Sequence, residues 1–471
     1  MLRRTIVDFS DVLRPWDGFG INYVQTSQTR DPVADPQDYG GFDVLAEVDR
    51  RKVIEMVFGD EGLKPGLVKM FLDPFHQNEP PPEEDLDDPL IDQSLYQHTA
   101  TTNSMRRFAR EGLEMTRRRG DDLQIITTLY GPPGWMTKQQ VWRGRDLDPR
   151  YKLACAKYMV SWAQYLRDAD GLPVRYVSLH NEGEDWMRWD EEGITESEGH
   201  DYNLYWPPEQ VVEFLPLVQE VLEANGLDEV GVAPGECSNW LRFVEWGHAP
   251  AIADNPEAVA NLGLITSHGF YSPGFHRWAG DYRSTGIDML RRRRPELHAW
   301  VTSTSWSDMD VGFLAELRDS VYVGKINGLI PWACIQRHDL WKGGDPNPGT
   351  AFLVTDEGEL KVQPGYWWYK QLCRTGQPGT GVARVVSNDT QVMLAAFADN
   401  GSGHGDAAVA LNTSGEPKAV ELELRGTKAA AFEAFRTGGE DRFASQGEMP
   451  LQDGSISCTL PPRSATSFFA L

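Results

Sequence analysis

Eight short apolar runs alternate with longer amphipathic stretches between residues 16 and 370, and this alternation constrains the fold more than any other feature. The amphipathic stretches, such as 151–168 and 208–224, have the length and periodicity of helices. The apolar runs lie at 18–21, 67–72, 123–128, 174–179, 230–233, 262–267, 298–302 and 326–330. Strands joined by helices pair in parallel, because each helix returns the chain to the same end of the sheet. Eight such repeats predict an α/β fold, a (β/α)8 TIM barrel over residues 16–372.

The pattern changes after residue 372. Short alternating runs, such as 391–397 and 419–424, are separated by turns rich in Gly, Asn, Asp and Pro. This pattern predicts a C-terminal antiparallel β-sandwich side domain over residues 373–471. An alternating strand within residues 1–15 is expected to join that sandwich.

The net charge of the chain disfavours nucleic acids and anionic membranes as binding partners. The chain has 70 acidic and 45 basic residues, which gives a net charge of −25. Such a field repels nucleic acid and anionic membrane surfaces, so we expect neither as a partner. No apolar run approaches the roughly 18 residues of a transmembrane helix. The oligomeric state stays open.

The cysteines and histidines form no recognisable ligand motif. The five cysteines include no C-x-x-C pair, and no H-E-x-x-H sequence is present. We therefore expect neither a metal nor an organic cofactor. The first residues carry two arginines but no apolar segment of the signal-peptide kind, so we expect a cytoplasmic protein or one whose signal has been removed.

Polar and aromatic residues gather where the predicted strands end. Barrel enzymes build their sites from the loops at the carboxyl ends of the strands. The residues expected there are Asp73, Trp135, Asn181, Glu182, Glu236, His268, Tyr271, Trp306 and Trp332. Aromatic faces cover the C–H faces of a sugar ring, while acids and amides bond its hydroxyl groups. This set predicts a carbohydrate site, although the tryptophans, His268 and Tyr271 are also compatible with core packing.

Six motifs occur in a fixed order along the barrel. They are WDGFG at 16–20, GPPGWM at 131–136, VSLHNE at 177–182, YWPPEQ at 205–210, HGFY at 268–271 and WVT at 300–302. With these motifs the chain resembles glycoside hydrolase family 30, in the clan of barrel glycosidases whose fourth strand ends in Asn-Glu. The resemblance runs along nearly the whole chain and includes the β-rich side domain. It implies cleavage of a β-linked glycoside or oligosaccharide by a retaining double displacement.

The resemblance also implies residue roles. Glu182 would be the general acid/base, which protonates the leaving oxygen and later deprotonates water. Asn181 would bond the sugar 2-hydroxyl. Because a general acid must be protonated near its working pH, we expect a raised pKa for Glu182 when a second carboxylate faces it. The tryptophan-rich insertion at 185–206 would form a wall of the pocket.

The chain departs from the family at the nucleophile. The expected pattern is Trp-x-Thr-Glu, whereas residues 300–306 read WVTSTSW and place Ser303 where the glutamate belongs. Serine carries no charge to stabilise an oxocarbenium ion, and no base that would activate it is evident.

Three explanations for Ser303 are open. An engineered Glu→Ser exchange would give an inactive nucleophile variant. A natural inverting glycosidase would need another base, such as Asp308, Asp310 or Glu236. A natural pseudoenzyme would bind carbohydrate without cleaving it. We favour the engineered exchange, because the other motifs persist and the loss is confined to one residue. The sugar, the linkage and the choice between exo and endo action are not readable from the sequence.

Overall fold

The structure is a computed structural model that describes residues 3–23, 39–73, 75–98, 102–194, 203–274, 276, 279–337 and 349–471. The strands in chain order are β1 (Arg3–Pro15), β2 (Gly18–Tyr23), β3 (Leu67–Phe71), β4 (Gln124–Thr128), β5 (Val174–Ser178), β6 (Gly231–Ala233), β7 (Ile265–Ser267), β8 (Ala299–Thr304), β9 (Gly328–Pro331), β10 (Ile335–Gln336), β11 (Phe352–Val354), β12 (Leu360–Val362), β13 (Gly381–Ser387), β14 (Val392–Ala398), β15 (Ala407–Asn412), β16 (Lys418–Arg425), β17 (Ala431–Gly438), β18 (Asp441–Pro450), β19 (Ser455–Leu460) and β20 (Ser464–Ala470). The α-helices are α1 (Glu47–Phe58), α2 (Asn103–Arg118), α3 (Lys152–Asp168), α4 (Pro208–Ala224), α5 (Trp240–Glu245), α6 (His248–Asp254), α7 (Pro256–Asn261), α8 (Thr285–Arg291), α9 (Val311–Tyr322) and α10 (Pro364–Thr375). Within the described residues, none of these helices is long and apolar enough to cross a bilayer.

Strands β2 to β9 form one parallel sheet in the order β6-β5-β4-β3-β2-β9-β8-β7. Single parallel bridges, Val232 to Leu262 and Cys237 to Ser267, connect its two ends and close the barrel. The predicted (β/α)8 barrel is therefore confirmed, and each of the eight predicted strands is present. Most residues of these strands are buried on both faces, because helices cover the outside and side chains fill the inside.

Two layers of apolar side chains hold the barrel together. The inner layer comprises Leu67, Ile126, Ala233, Leu264, Trp300 and Ile330. A much larger outer core lies between the strands and the surrounding helices. Alternation along a strand explains this division, since neighbouring residues such as Trp300 and Val301 point to opposite faces. The inner layer fills the barrel, so the polar groups described below occupy its mouth.

The side domain is a nine-stranded sheet in the order β18-β17-β20-β15-β14-β13-β1-β16-β19. Residues from both ends of the sheet, including Phe432 and Leu422, share one apolar core, so the sheet folds over itself as a sandwich. Strand β1 pairs antiparallel with β13 but parallel with β16. This parallel pair departs from the all-antiparallel expectation, because β1 comes from the N-terminus instead of through a hairpin.

Helix α10 lies between the barrel and the sandwich. Gln371 on this helix donates to Thr437 Oγ1 at 2.8 Å, and Ser467 Oγ donates to the Gln371 carbonyl at 3.2 Å. From α9, the Tyr322 hydroxyl donates to the Ala383 carbonyl at 3.0 Å. Helix α10 extends to Thr375, three residues past the domain boundary expected between residues 372 and 373.

Candidate active site

The chain turns sharply at Glu182, just beyond the end of β5. The Glu182 amide donates to the Glu236 carbonyl at 2.8 Å, and the Glu236 amide donates to the His180 carbonyl at 2.8 Å. Glu182 adopts φ +40°, in the left-handed region that residues other than glycine rarely occupy. Such strain costs about 1–3 kcal/mol and persists where surrounding contacts enforce it, often at functional sites.

Two cationic groups hold the Glu182 carboxylate. The Nδ1 atom of His268 lies 2.9 Å from Oε1, and Arg188 Nη2 donates to Oε2 at 2.5 Å. Burial raises the pKa of Glu182, but Arg188 and His268 outweigh it and hold the pKa well below its usual range. The expectation of a raised pKa therefore does not apply to this arrangement, in which cations and not a second carboxylate face Glu182.

His268 connects Glu182 to a second buried carboxylate, Glu236. Its Nε2 atom lies 3.1 Å from Glu236 Oε2, so a protonated ring donates to both acids. Burial and Lys69 lower the pKa of His268, but the two carboxylates outweigh them and raise it. Imidazolium is thus the form that fits between the acids.

Glu236 is fully enclosed at the end of β6. Its Oε1 atom accepts from Thr128 Oγ1 at 2.7 Å, and Oε2 also accepts from Lys69 Nζ. Burial raises the pKa of Glu236, while Lys69 and His268 lower it, and the balance brings the pKa to about 2. Five charged groups of alternating sign therefore line the mouth in the order Lys69, Glu236, His268, Glu182 and Arg188.

Ser303 lies in β8, the strand where the family carries its nucleophile. The pairing of β8 with β9 shifts register between Val301 and Thr304, and such a bulge re-aims the side chains beside it. Ser303 is buried, and its Oγ accepts from Asn22 Nδ2 at 3.0 Å. The two strands between β5 and β8 around the barrel are β6 and β7, which lead to Glu236 and His268.

Three residues of this group were not predicted from the sequence: Asn22, Lys69 and Arg188. Lys69 had a readable signal, because it is a lone charge inside the apolar run 67–72 and such a residue needs a buried partner. Asn22 and Arg188 gave no comparable signal. Arg188 lies in a short turn beside Trp186 and Met187, which are 57% and 58% exposed.

Two predicted polar residues bond mainly to the protein itself. Asn181 is buried, and its Nδ2 donates to Asn203 Oδ1 at 3.2 Å. Asp73 is also buried, and its carboxylate accepts from the Phe75 amide at 2.9 Å and from Thr102 Oγ1 at 3.2 Å. Their contacts with sugar stay predictions.

The predicted aromatic residues differ in exposure. Trp306 is fully buried, donates to the Trp332 carbonyl and packs against Phe313 with ring centroids 5.1 Å apart, as a core residue does. Trp332 is also buried, whereas Trp135 is half-buried. Tyr271 is exposed and stacks on Tyr282 with ring centroids 4.7 Å apart. Residues 195–202 of the insertion expected to wall the pocket lie outside the described residues.

The alternative bases differ in their surroundings. Asp310 caps α9, where its Oδ1 accepts from the Gly312 amide at 2.7 Å, and it lies 3.6 Å from Arg463. Asp308 is exposed. Glu236 is engaged as described above, and a carboxylate with a pKa of about 2 is a weak base.

The fold matches solved structures along its whole length. The GH30 endoxylanase from Clostridium papyrosolvens C71 shares 14% identity with a TM-score of 0.68, and the match covers 99% of both chains. The catalytic domain of GH30 xylanase C from Talaromyces cellulolyticus shares 16% identity with a TM-score of 0.72, over 99% of this chain and 100% of that one. The endo-β1,6-glucanase BT3312 shares 16% identity with a TM-score of 0.71, over 99% of this chain and 94% of that one. No protein-family model and no curated protein matches the chain. The predicted resemblance to glycoside hydrolase family 30 is confirmed at the level of the fold.

Proposed function

We propose that the chain is a retaining glycosidase of the glycoside hydrolase family 30 type whose nucleophile position holds serine, with its sugar site at the carboxyl-terminal mouth of the barrel. Glu182 takes the place of the acid/base and Ser303 that of the nucleophile. The substrate class is a β-linked glycoside or oligosaccharide, which this chain binds but hydrolyses very slowly. The shared fold with xylanases and a glucanase supports the class of ligand.

The observation that carries this proposal is the hydrogen bond between Asn22 and Ser303. A retaining glycosidase needs a carboxylate at this position, about 5–5.5 Å from the acid/base, to form the glycosyl-enzyme intermediate. Ser303 offers a neutral hydroxyl, and its described side-chain partner is an amide, which cannot accept a proton as a base. Ser303 is therefore not an activated nucleophile.

The contacts of Glu182 are consistent with slow hydrolysis. A carboxylate paired with Arg188 and His268 is ionised and has no proton for a leaving group. It can still accept a proton from water or from an acceptor sugar, which is the second role of an acid/base residue. The inverting alternative gains no support, because Glu236 is enclosed and paired with Lys69.

Restoring the carboxylate tests the proposal. Ser303→Glu is compared with Ser303→Gln, which matches it in shape but lacks the charge, on aryl β-glycosides and on xylan and β-1,6-glucan oligosaccharides. We expect turnover with retention of configuration from Ser303→Glu alone, because a carboxylate at position 303 faces Glu182, raises its pKa and so lets it donate a proton. Azide or formate should restore some cleavage of activated glycosides by the unaltered chain, because a small anion replaces the missing carboxylate.

Two outcomes would contradict the proposal. Rapid hydrolysis of an unactivated glycoside by the unaltered chain, with inversion, would require a water-activating base such as Asp308. A folded Ser303→Glu variant that neither binds nor cleaves any sugar of the panel would remove carbohydrate as the ligand.

A further inference from the structure

A second polar cluster lies behind the strand ends that carry Glu182 and Glu236. It consists of His180, Cys237 and His248, all buried, and one donor atom from each lies within 4.8 Å of the other two. His180 follows β5, Cys237 follows β6, and His248 is the first residue of α6. Because these positions come from three separate elements, no spacing motif in the sequence announces them.

Each histidine uses one ring nitrogen and leaves the other without a described partner. The Gly183 amide donates to His180 Nδ1 at 3.1 Å, and His248 Nε2 lies 3.0 Å from the Trp206 carbonyl, to which it donates. His180 Nε2 and His248 Nδ1 have no hydrogen-bond partner among the described residues. An unpaired buried polar group costs about 1–3 kcal/mol, so these two nitrogens call for a further group between them.

A buried carboxylate, Glu184, lies beside this cluster. The Glu184 carboxylate acts on all three residues, and its Oε2 atom also has no described hydrogen-bond partner. Its Oε1 atom accepts from Ser238 and Arg242.

The backbone keeps the His180 ring in place. Gly235 has φ +100°, and a Cβ there would lie 2.0 Å from His180 Cδ2, so only glycine lets the chain pass this close to the ring. On another side, Trp206 stacks on His180 with ring centroids 5.9 Å apart. A ring fixed before a ligand arrives loses little conformational freedom when it binds one.

We propose that His180, Cys237 and His248 bind a single thiophilic divalent cation. Two imidazole nitrogens and one thiolate are a ligand set that suits Zn²⁺, whose fourth position is then open to water or to the Glu184 carboxylate. The site does not depend on the proposed sugar chemistry.

Binding moves two protons and changes no oxidation state. The Cys237 thiol releases its proton to solvent as the sulfur–metal bond forms. The His180 proton moves from Nε2 to Nδ1, where it faces the Gly183 N–H. A donor then meets a donor, so the contact that holds the residue after Glu182 is lost. Metal occupancy is thereby coupled to the Glu182 turn.

Metal binding by the full chain tests the site. Zn²⁺ should bind at one equivalent, and X-ray absorption should find one sulfur at about 2.3 Å and two nitrogens at about 2.0–2.1 Å. Co²⁺ should give a thiolate-to-cobalt charge-transfer band. Hydrogen exchange of the Gly183 amide should become faster with Zn²⁺ bound. A first shell without sulfur would overturn the site, and unchanged exchange would contradict its coupling to the turn.

Matched variants locate the ligands. Cys237→Ser and His248→Gln should each lower the Zn²⁺ affinity by more than the roughly 10- to 100-fold that loss of an outer-shell partner costs. Cys155→Ser changes a buried cysteine of α3 and should leave the affinity unchanged. Circular dichroism checks that each variant is folded. If a variant fails to fold, the absorption measurement on the unaltered chain decides. A charge-transfer band that persists in folded Cys237→Ser would refute the assignment.

Discussion

Lys69 and Glu236 form an ion pair inside the barrel mouth, with side chains only 1% and 0% exposed. Glu236 also contacts His268, which contacts Glu182, so this pair anchors the row of charges that ends at Arg188. Each carboxylate of the row lies between two cations, and His268 lies between the two carboxylates. Removing one cation leaves its buried carboxylate with a single cationic partner, which costs more than the loss of a surface ion pair.

We expect Lys69→Met to destabilise the protein by about 3–5 kcal/mol, because it leaves the buried Glu236 with only His268, which it shares with Glu182, as a cationic partner. The double variant Lys69→Met/Glu236→Gln should recover part of that loss. Lys152→Met breaks the exposed pair with Glu213 and should cost no more than about 1 kcal/mol. Urea unfolding of the four proteins measures these differences. Equal losses for Lys69→Met and Lys152→Met would contradict the buried-pair interpretation.

Glu182 is expected to act as the general acid once a carboxylate is restored at position 303. In the Ser303→Glu background, Glu182→Gln should abolish turnover of glycosides with poor leaving groups but spare activated aryl glycosides, which need no proton. The kcat/KM ratio between the two substrate types measures the effect. Glu191→Gln, an exposed change in the same loop, serves as the control. Equal losses on both substrate types would exclude Glu182 as the acid.

The side domain is expected to be structural. In the Ser303→Glu background, changes at Glu440, in the turn between β17 and β18, or at Arg442, near the start of β18, should leave kcat unchanged, because barrel sites are built from loops after the barrel strands. Phe432→Ala in the sandwich core should lower stability by about 3–5 kcal/mol, since Phe432 is fully buried. Parallel measurements of kcat and thermal unfolding test both points. A large fall in kcat for folded Glu440→Ala would contradict this assignment.

Acid should destabilise the fold through His76. Burial lowers the pKa of this histidine to about 3, so the folded state keeps it neutral while the unfolded chain protonates it below about 6.5. The stabilisation that comes from keeping His76 neutral is complete above pH 6.5 and is lost as the pH falls from 6.5 towards 3. The free energy of unfolding then falls by at most about 1.4 kcal/mol per pH unit.

Urea unfolding between about pH 7 and pH 5 measures this dependence. His76→Gln should flatten the dependence of the unfolding free energy on pH, whereas His404→Gln, at a partly exposed histidine of the sandwich, should not. Identical slopes for the unaltered protein and His76→Gln would show that His76 does not contribute.

The sequence by itself determined the architecture and the order in which the site residues follow the barrel strands. Alternating strands and helices leave few topologies, and the eight predicted strands are those of the barrel, because hydrophobic periodicity is a local property. For the same reason, the sequence assigned each predicted site residue to a strand. Glu182, Glu236 and His268 each follow a strand, and Ser303 lies within one.

Only the tertiary structure decided which of these groups meet. The bonds from His268 to Glu182, from Lys69 to Glu236 and from Asn22 to Ser303 join groups that follow or lie in different strands, and closure of the barrel sets their distances. The contacts of Glu182 with Arg188 and His268 hold its pKa well below its usual range, since a pKa depends on the charges nearby in space. The cluster of His180, Cys237 and His248 arose in the same way. Sequence patterns report which face of an element is apolar, whereas packing decides which polar atoms are neighbours.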